Sequence, residues 1–264
     1  MARPTIALLT DFGSRDHYAG TMKGVVLGIC PDVTLVDLTH DIAPHDVFGA
    51  ALELAAAYSY FPAGTIFLAV VDPGVGSSRH GIAAEAGGYR FVAPDNGVLT
   101  QVFAETPPTR VVELSDRRYA RATVSRTFEG RDRFAPAAAW LAKGLELSAL
   151  GRPLSDWQML RMPGPMVSDD TVTGEVIRVD RFGNLVTNID RRTFDRFAAH
   201  GDVEIAAGPH PVAMVVATYA EVATGTVCAL FGSTEQLEIA VNGGSAEAQL
   251  QLARGAAVVM SRPC

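Results

Sequence analysis

TIFLAVVDPGVGSSR, residues 65–79, is the stretch from which the fold can be read. Its apolar run, Ile66 to Val71, is short, rich in β-branched residues and free of polar alternation. That is the pattern of a strand buried on both faces. The run stops at Asp72, and Pro73, Gly74 and Gly76 then turn the chain. Strands buried on both faces belong to sheets flanked by helices, which gather ligands beyond the carboxyl ends of their strands. Asp72 stands at such an end, with Arg79 near enough in sequence to fold back onto its carboxylate. An Asp-Pro-Gly turn that merely ends a strand is the plainer alternative. Thr5 to Thr10 (TIALLT) repeats the arrangement, ending at Asp11-Phe12-Gly13 before a helix-compatible stretch from Asp16 to Ile29. Two such strands in one sheet would aim two carboxylates into one crevice.

Outward from these strands, residues 1–161 alternate between strand and helix patterns. Val33 to Leu38 reads as a strand, and Asp46 to Tyr60 as a helix with Asp46 as its N-cap. Gly81 to Ala86 and Tyr89 to Ala93 flank the hairpin signal Gly87-Gly88. Asn96 to Ala104 reads as a helix and Val111 to Leu114 as a strand. Asp132 to Lys143 reads as a helix with Pro136 in its first turn. The alternation predicts an N-terminal α/β domain with a mostly parallel sheet. Residues 162–170 (MPGPMVSDD) read as a linker. Short apolar runs follow: Gly174 to Ile189, Val203 to Ile205, Val212 to Ala217, Thr226 to Phe231, Leu237 to Val241 and Ala256 to Met260. With only Arg191 to Ala199 helical, residues 171–264 are expected to form a smaller all-β barrel or sandwich.

Composition narrows the partners. The chain has 264 residues, 48% hydrophobic and 19% charged, with a formal net charge of −7. That is ample for a core, and without a Lys or Arg run it argues against nucleic acid or an anionic membrane. A cationic or zwitterionic small molecule suits it better. Cys30, Cys228 and Cys264 are distant, odd in number and outside any zinc-type spacing, so a reducing cytoplasm is the expectation. The six-residue apolar run before Asp11 is too short for a signal peptide, and no 18-residue apolar span occurs.

Several further segments carry chemistry, each with a plainer alternative. His40-Asp41-Ile42-Ala43-Pro44-His45-Asp46 has metal-ligand types, but Pro44 breaks the helix that would align both imidazoles. A loop bordering the crevice fits it better. Thr127 to Asp132 (TFEGRD) is a charged segment before a helix, or simply a capped helix start with a solvated Arg131. Asp180-Arg181-Phe182-Gly183-Asn184 reads as a tight turn between strands. Gly232-Ser233, Glu238 and Val241 to Gly244 form a turn-rich cluster compatible with backbone and amide readout of a flat heterocycle. P-loop, GxGxxG, GxSxG and HExxH motifs are absent from the sequence.

Taken in order, TDFG (10–13), HDIAPHD (40–46), VVDPGVGSSR (70–79), APDNG (93–97), FEGRD (128–132), DRFGNLVTNI (180–189) and GSTEQLEIAVNGGSA (232–246) form a recognisable set. The set resembles the S-adenosyl-L-methionine (SAM) hydrolase family, also called SAM hydroxide adenosyltransferases, relatives of the fluorinase and chlorinase. The resemblance covers essentially the whole chain. It implies hydrolysis of SAM to adenosine and L-methionine without a cofactor or metal. It also implies an N-terminal α/β domain, a C-terminal β-barrel, and a homotrimer with active sites between neighbouring subunits. By position, Asp11 would grip the ribose hydroxyls and Asp16 would approach the methionine end. Asn184, Ser233, Glu238 and the Val241 backbone would line the nucleoside site, flanked by Phe182 and Tyr219. Asp72 and Arg79 match the hydrolytic carboxylate and arginine. The family usually has a histidine before Gly-Arg-Asp; this chain has Glu129, which takes over that third catalytic role, only binds solvent, or makes this a slower enzyme.

The chemistry accords with those residues. A sulfonium leaves as a neutral thioether and needs no general acid, so what the reaction lacks is a positioned nucleophile. A carboxylate cannot make free hydroxide in advance, because bulk water is roughly 12 pKa units above an ordinary aspartate. It can orient a water and accept its proton as attack on C5′ develops, within a preorganised field. Asp72 would repel a halide, which favours water over halide as the nucleophile. A non-catalytic SAM or adenosine sensor and a halide-using adenosyltransferase are the alternatives.

Overall fold

The computed structural model describes residues 3–263, so Cys264 lies outside the described residues. The chain divides into two compact units between Arg161 and Met162. The first runs β1 (Thr5–Thr10), α1 (Tyr18–Ile29), β2 (Thr34–Thr39), α2 (Val47–Tyr58), β3 (Ile66–Val70), β4 (Gly81–Ala86), β5 (Tyr89–Pro94), α3 (Thr100–Glu105), β6 (Arg110–Glu113) and α4 (Ala135–Ala142). Its six strands form one sheet in the order β2-β1-β3-β5-β4-β6.

Strand alternation explains why the interior of β1, Ile6 to Leu9, and all of β3 are apolar. Ile6, Leu8, Ile66 and Leu68 face a cluster with Met22 and Val26 of α1 and Leu141 of α4. The intervening Ala7, Leu9, Phe67 and Ala69 face Leu54 of α2 and Val102 of α3 on the opposite side. With helices on both faces, neither set of side chains meets water. Pairings β1–β2, β1–β3 and β3–β5 are parallel. The β4–β5 and β4–β6 pairings are antiparallel, so the sheet is mixed at one edge. That edge follows from Gly87 and Gly88, whose φ of 57° and 82° permit the tight hairpin that returns the chain antiparallel.

Element boundaries shift where local hydrogen bonds compete. Asp46 accepts from the Gly49 amide and caps α2, so that helix starts at Val47. The helix expected from Asn96 starts only at Thr100, because Asn96 Oδ1 binds the Val98 amide and Gly97 turns at φ 92°. The helix expected from Asp132 opens as one π-helical turn, Gly130–Phe134, before α4 with its early Pro136.

The second unit contains β7 (Met166–Val167), β8 (Thr171–Val179), β9 (Leu185–Asp190), α5 (Arg191–Ala198), β10 (Glu204–Ala207), β11 (His210–Val212), β12 (Val227–Phe231), β13 (Gln236–Val241), α6 (Ala246–Leu250) and β14 (Ala257–Ser261). Its antiparallel sheet runs β11-β10-β14-β8-β9-β13-β12, with β7 against β8, and curls into a nearly closed barrel. Met166 and Val167, within the expected linker, are thus paired strand. The strand expected over Val212 to Ala217 ends at Val212, beyond which Val215 bridges Ala229. Helix α6 gave no periodic signal because it is five residues long; Ser245 Oγ caps it.

Candidate active site

Two neighbouring parallel strands bring the first pair of carboxylates together. Thr10 pairs with Val70, so β1 and β3 end side by side, and Asp11 and Asp72 follow just beyond. Both line a cavity of about 310 Å³ in the first unit. Asn96 Nδ2 donates to the Val71 carbonyl at 2.8 Å and holds the end of β3 in place. The chain then turns through Gly74 and Gly76. Gly76 has φ 75°, and a Cβ there would meet the Arg126 carbonyl oxygen at 2.2 Å, so only glycine fits.

This turn returns Arg79 to Asp72. Arg79 Nε donates to Asp72 Oδ1 at 2.8 Å, and Nη2 donates to Asp72 Oδ2, a two-point pairing. Nη2 also donates to Glu129 Oε2 at 2.7 Å. The guanidinium lies 5.1 Å above the Phe134 ring. Burial works against the Arg79 charge, but Asp72 and Glu129 outweigh it and hold the guanidinium above its ordinary pKa. The side chains of Asp72, Arg79 and Glu129 are 6%, 10% and 10% exposed.

Glu129 reaches the site because the following turn packs closely. A Cβ on Gly130 would lie 3.1 Å from Met22 Sδ, which lets the segment approach α1. Asp132 is fully buried and binds Arg131 through both oxygens at 2.6 and 2.7 Å and the Ser125 amide at 2.8 Å. Burial alone would raise the Asp132 carboxyl; Arg131 and the amide outweigh it and hold it below the usual range. In TFEGRD, therefore, Glu129 faces the cavity, while Arg131, still partly solvated, clasps Asp132.

Phe12, Tyr18 and Phe128 also line the cavity, with ring centroids 5.0 to 5.9 Å apart. This aromatic wall was not singled out in the sequence, although Phe12 and Phe128 sit inside the TDFG and FEGRD motifs. The Asp11 carboxylate accepts from the His45 amide at 2.9 Å. His45 and Pro44 border the cavity, as expected of that loop, whereas His40 Nδ1 is 2.8 Å from Thr10 Oγ1. Asp16 is exposed and does not line the cavity. Among the described residues no group of three His, Cys, Asp or Glu side chains is arranged to hold a metal ion.

In the second unit, three of the singled-out residues form a chain. Asn184 Nδ2 lies 3.4 Å from the Tyr219 hydroxyl, which donates to Glu238 Oε2 at 3.4 Å. Asp180 orders the turn, accepting from the amides of Phe182 and Asn184 and from Asn184 Nδ2. Gly183, with φ 82°, packs so tightly on Ser245 that a Cβ would meet its Oγ at 2.1 Å. Burial, and then the Asp180 charge, pushes the Glu238 carboxyl above its ordinary range. Phe182 is 76% exposed at the tip of the turn. Ser233 is exposed three residues before the start of β13, and the Val241 side chain belongs to the core of the unit. The Val241 carbonyl accepts from the Gly244 amide at 3.1 Å.

Comparison with known proteins converges on one family. Residues 6–151 match the SAM hydroxide adenosyltransferase N-terminal domain, and residues 174–259 match the corresponding C-terminal domain. The chain is 39% identical to an (R)-S-adenosyl-L-methionine hydrolase of Salinispora tropica over 92% of each chain. A protein of the same name from Thermus thermophilus is also 39% identical, over 95% of this chain and 96% of the relative. A fluorinase of Actinoplanes sp. is 32% identical over 73% of this chain and 74% of its own length. Among solved structures, an uncharacterized conserved protein from Thermotoga maritima aligns with a TM-score of 0.90 at 39% identity. That alignment covers 97% of this chain and all of the other.

Proposed function

The chain belongs to the SAM hydroxide adenosyltransferase family, and from that premise we propose that it is an enzyme hydrolysing SAM to adenosine and L-methionine. The observation that carries this reading is the Arg79 guanidinium joining Asp72 and Glu129 at the wall of the cavity. Water attacks C5′, the C5′–O bond forms as the C5′–S bond breaks, and the electron pair passes to sulfur. Methionine leaves neutral, and the water's proton passes to Asp72 and then to solvent. Arg79 fixes the carboxylate so that little reorganisation accompanies the attack. Asp11 takes the ribose diol, and Asp16 faces the methionine end when substrate is bound. Glu129 takes the third catalytic role. Because the leaving group is already cationic, the reaction needs no Lewis acid and no cofactor.

The Asn184, Tyr219 and Glu238 chain, with Ser233, Phe182 and the Val241 backbone, supplies the nucleoside contacts. In this reading they come from a neighbouring subunit of a homotrimer, and the enzyme works in the cytoplasm. A negative Asp72 at the cavity wall disfavours a halide as nucleophile. Incubation with the separated sulfonium epimers of SAM, followed by chromatography, tests the activity. Adenosine and methionine should appear in equal amounts, faster from the (R) epimer named for the relatives. Binding without adenosine would make the protein a sensor, and product formation only with added halide would make it a halogenase.

A further inference from the structure

We infer that Arg133 is a positioning residue for Glu129, the partner that lets a carboxylate occupy the third place in this site; the inference rests on the hydrolase reading above. Glu129 divides its two oxygens between two guanidiniums. Oε2 accepts from Arg79 at 2.7 Å, and Oε1 accepts from Arg133 Nη1 at 3.2 Å. Arg133 is itself anchored, since its Nη2 donates to the Leu114 carbonyl at 2.7 Å. Leu114 in turn donates its amide to the Gly81 carbonyl at 2.8 Å, two residues beyond Arg79. Arg133 thus links the Glu129 carboxylate to the backbone that carries Arg79.

Charge explains why such a partner is needed. Asp72 and Glu129 are nearly buried and share one nitrogen of Arg79, so one cation would have to balance two close anions. Two anions against one cation leave an uncompensated negative charge in a poorly solvated site, which is costly. A second guanidinium gives two cations for two anions, alternating Asp72, Arg79, Glu129, Arg133. An ionised glutamate only accepts hydrogen bonds, whereas a neutral histidine both accepts and donates. Two fixed carboxylates can then accept hydrogen bonds from both O–H groups of one water and leave an oxygen lone pair free for attack, with one proton passing to Asp72 and the other staying on the product hydroxyl.

The local backbone makes the arrangement possible. Glu129 is the N-cap of the π-helical turn and Arg133, four residues on, lies in its second half, so the two are brought onto one side. This turn also places Phe134 beneath the Arg79 guanidinium, so adjacent residues support both partners of the bridge. The spacing is legible in FEGRDR, but its meaning depends on where Arg79 folds.

A double-mutant cycle tests the inference, using wild type, Arg133→Gln, Glu129→Gln and the double variant. In wild-type background, Arg133→Gln should lower kcat by about 10- to 100-fold, with KM within about threefold, the signature of lost positioning. In the Glu129→Gln background the same exchange should change kcat by less than about threefold. Arg133→Lys, which keeps the charge, should recover most of the loss. Equal losses in both backgrounds, or full activity in Arg133→Gln, would overturn the inference and leave Arg133 a structural tie to Leu114. The same four proteins are compared by thermal unfolding, where positions 129 and 133 should again be non-additive; additive shifts would equally overturn the pairing. If wild type makes no adenosine, the hydrolase reading fails, and the unfolding cycle still decides whether Arg133 acts through Glu129.

Discussion

Asp72 and Glu238 are both nearly buried acids, yet their environments differ. Asp72 is gripped by Arg79 at two points, so its charge is compensated and available for catalysis. Asp72→Ala should abolish adenosine formation while nucleoside affinity stays within about tenfold, or about 1.4 kcal/mol, by calorimetry. Retained turnover would reduce Asp72 to the turn residue of the plainer sequence reading. Glu238 accepts a long Tyr219 hydrogen bond, and burial and Asp180 push its carboxyl up against the opposing charge of Arg178. With a raised folded value, its protonated form favours the fold below the ordinary 4.5, and that contribution is lost as pH rises through the folded value. Glu238→Gln keeps an acceptor for Tyr219 without the charge. Thermal unfolding at neutral pH should rise by about 2 to 4 °C, as expected for ~1 kcal/mol. The gain should vanish below the ordinary glutamate range, while nucleoside binding weakens; an unchanged melting profile would show that the buried charge costs nothing.

Among the elements, the π-helical turn Gly130–Phe134 organises the site most densely. Its buried Asp132 ties the Ser125 amide and two partly solvated guanidiniums, Arg131 and, at 3.2 Å, Arg121, into one knot. Because solvent still reaches both arginines, removing the Asp132 charge costs the charge-assisted hydrogen bonds alone, about 1.5 kcal/mol. Asp132→Asn should show that loss in denaturant unfolding at pH 7. Because the folded carboxyl is held below its ordinary 3.8, its contribution is present above that value and disappears as pH falls through the lowered one. Wild type should therefore lose stability more steeply than Asp132→Asn in strong acid, and parallel acid profiles would contradict this account. The elements themselves were largely legible. Periodicity gave β1, β3 and α2 because their side chains see uniform surroundings. Helix α3 and the π-helical turn began elsewhere than expected because side-chain hydrogen bonds and a positive-φ glycine overrode local propensity.

For the molecule as a whole, the net charge of −7 suits a small cationic substrate better than a nucleic acid, and no described helix is long and apolar enough to cross a membrane. Sedimentation should report about three chain masses of 28.0 kDa if neighbouring subunits complete each site. A fully active monomer would remove the nucleoside contacts proposed to come from a neighbour. Turnover should persist in the presence of a chelator; loss restored by one divalent metal would return His40 and His45 to consideration as ligands. The sequence by itself determined the layered α/β unit, the all-β character of the second unit and the carboxylates at two strand ends, because burial periodicity and turn chemistry are local properties. It also singled out Arg79 and Glu129 through their motifs. Only the tertiary structure decided that one guanidinium joins Asp72 to Glu129, that Arg133 balances the second carboxylate, and that Phe12, Tyr18 and Phe128 form one wall. Those relations join segments up to about 120 residues apart, and the pairing of such segments is set by packing across the sheet, which no local pattern encodes.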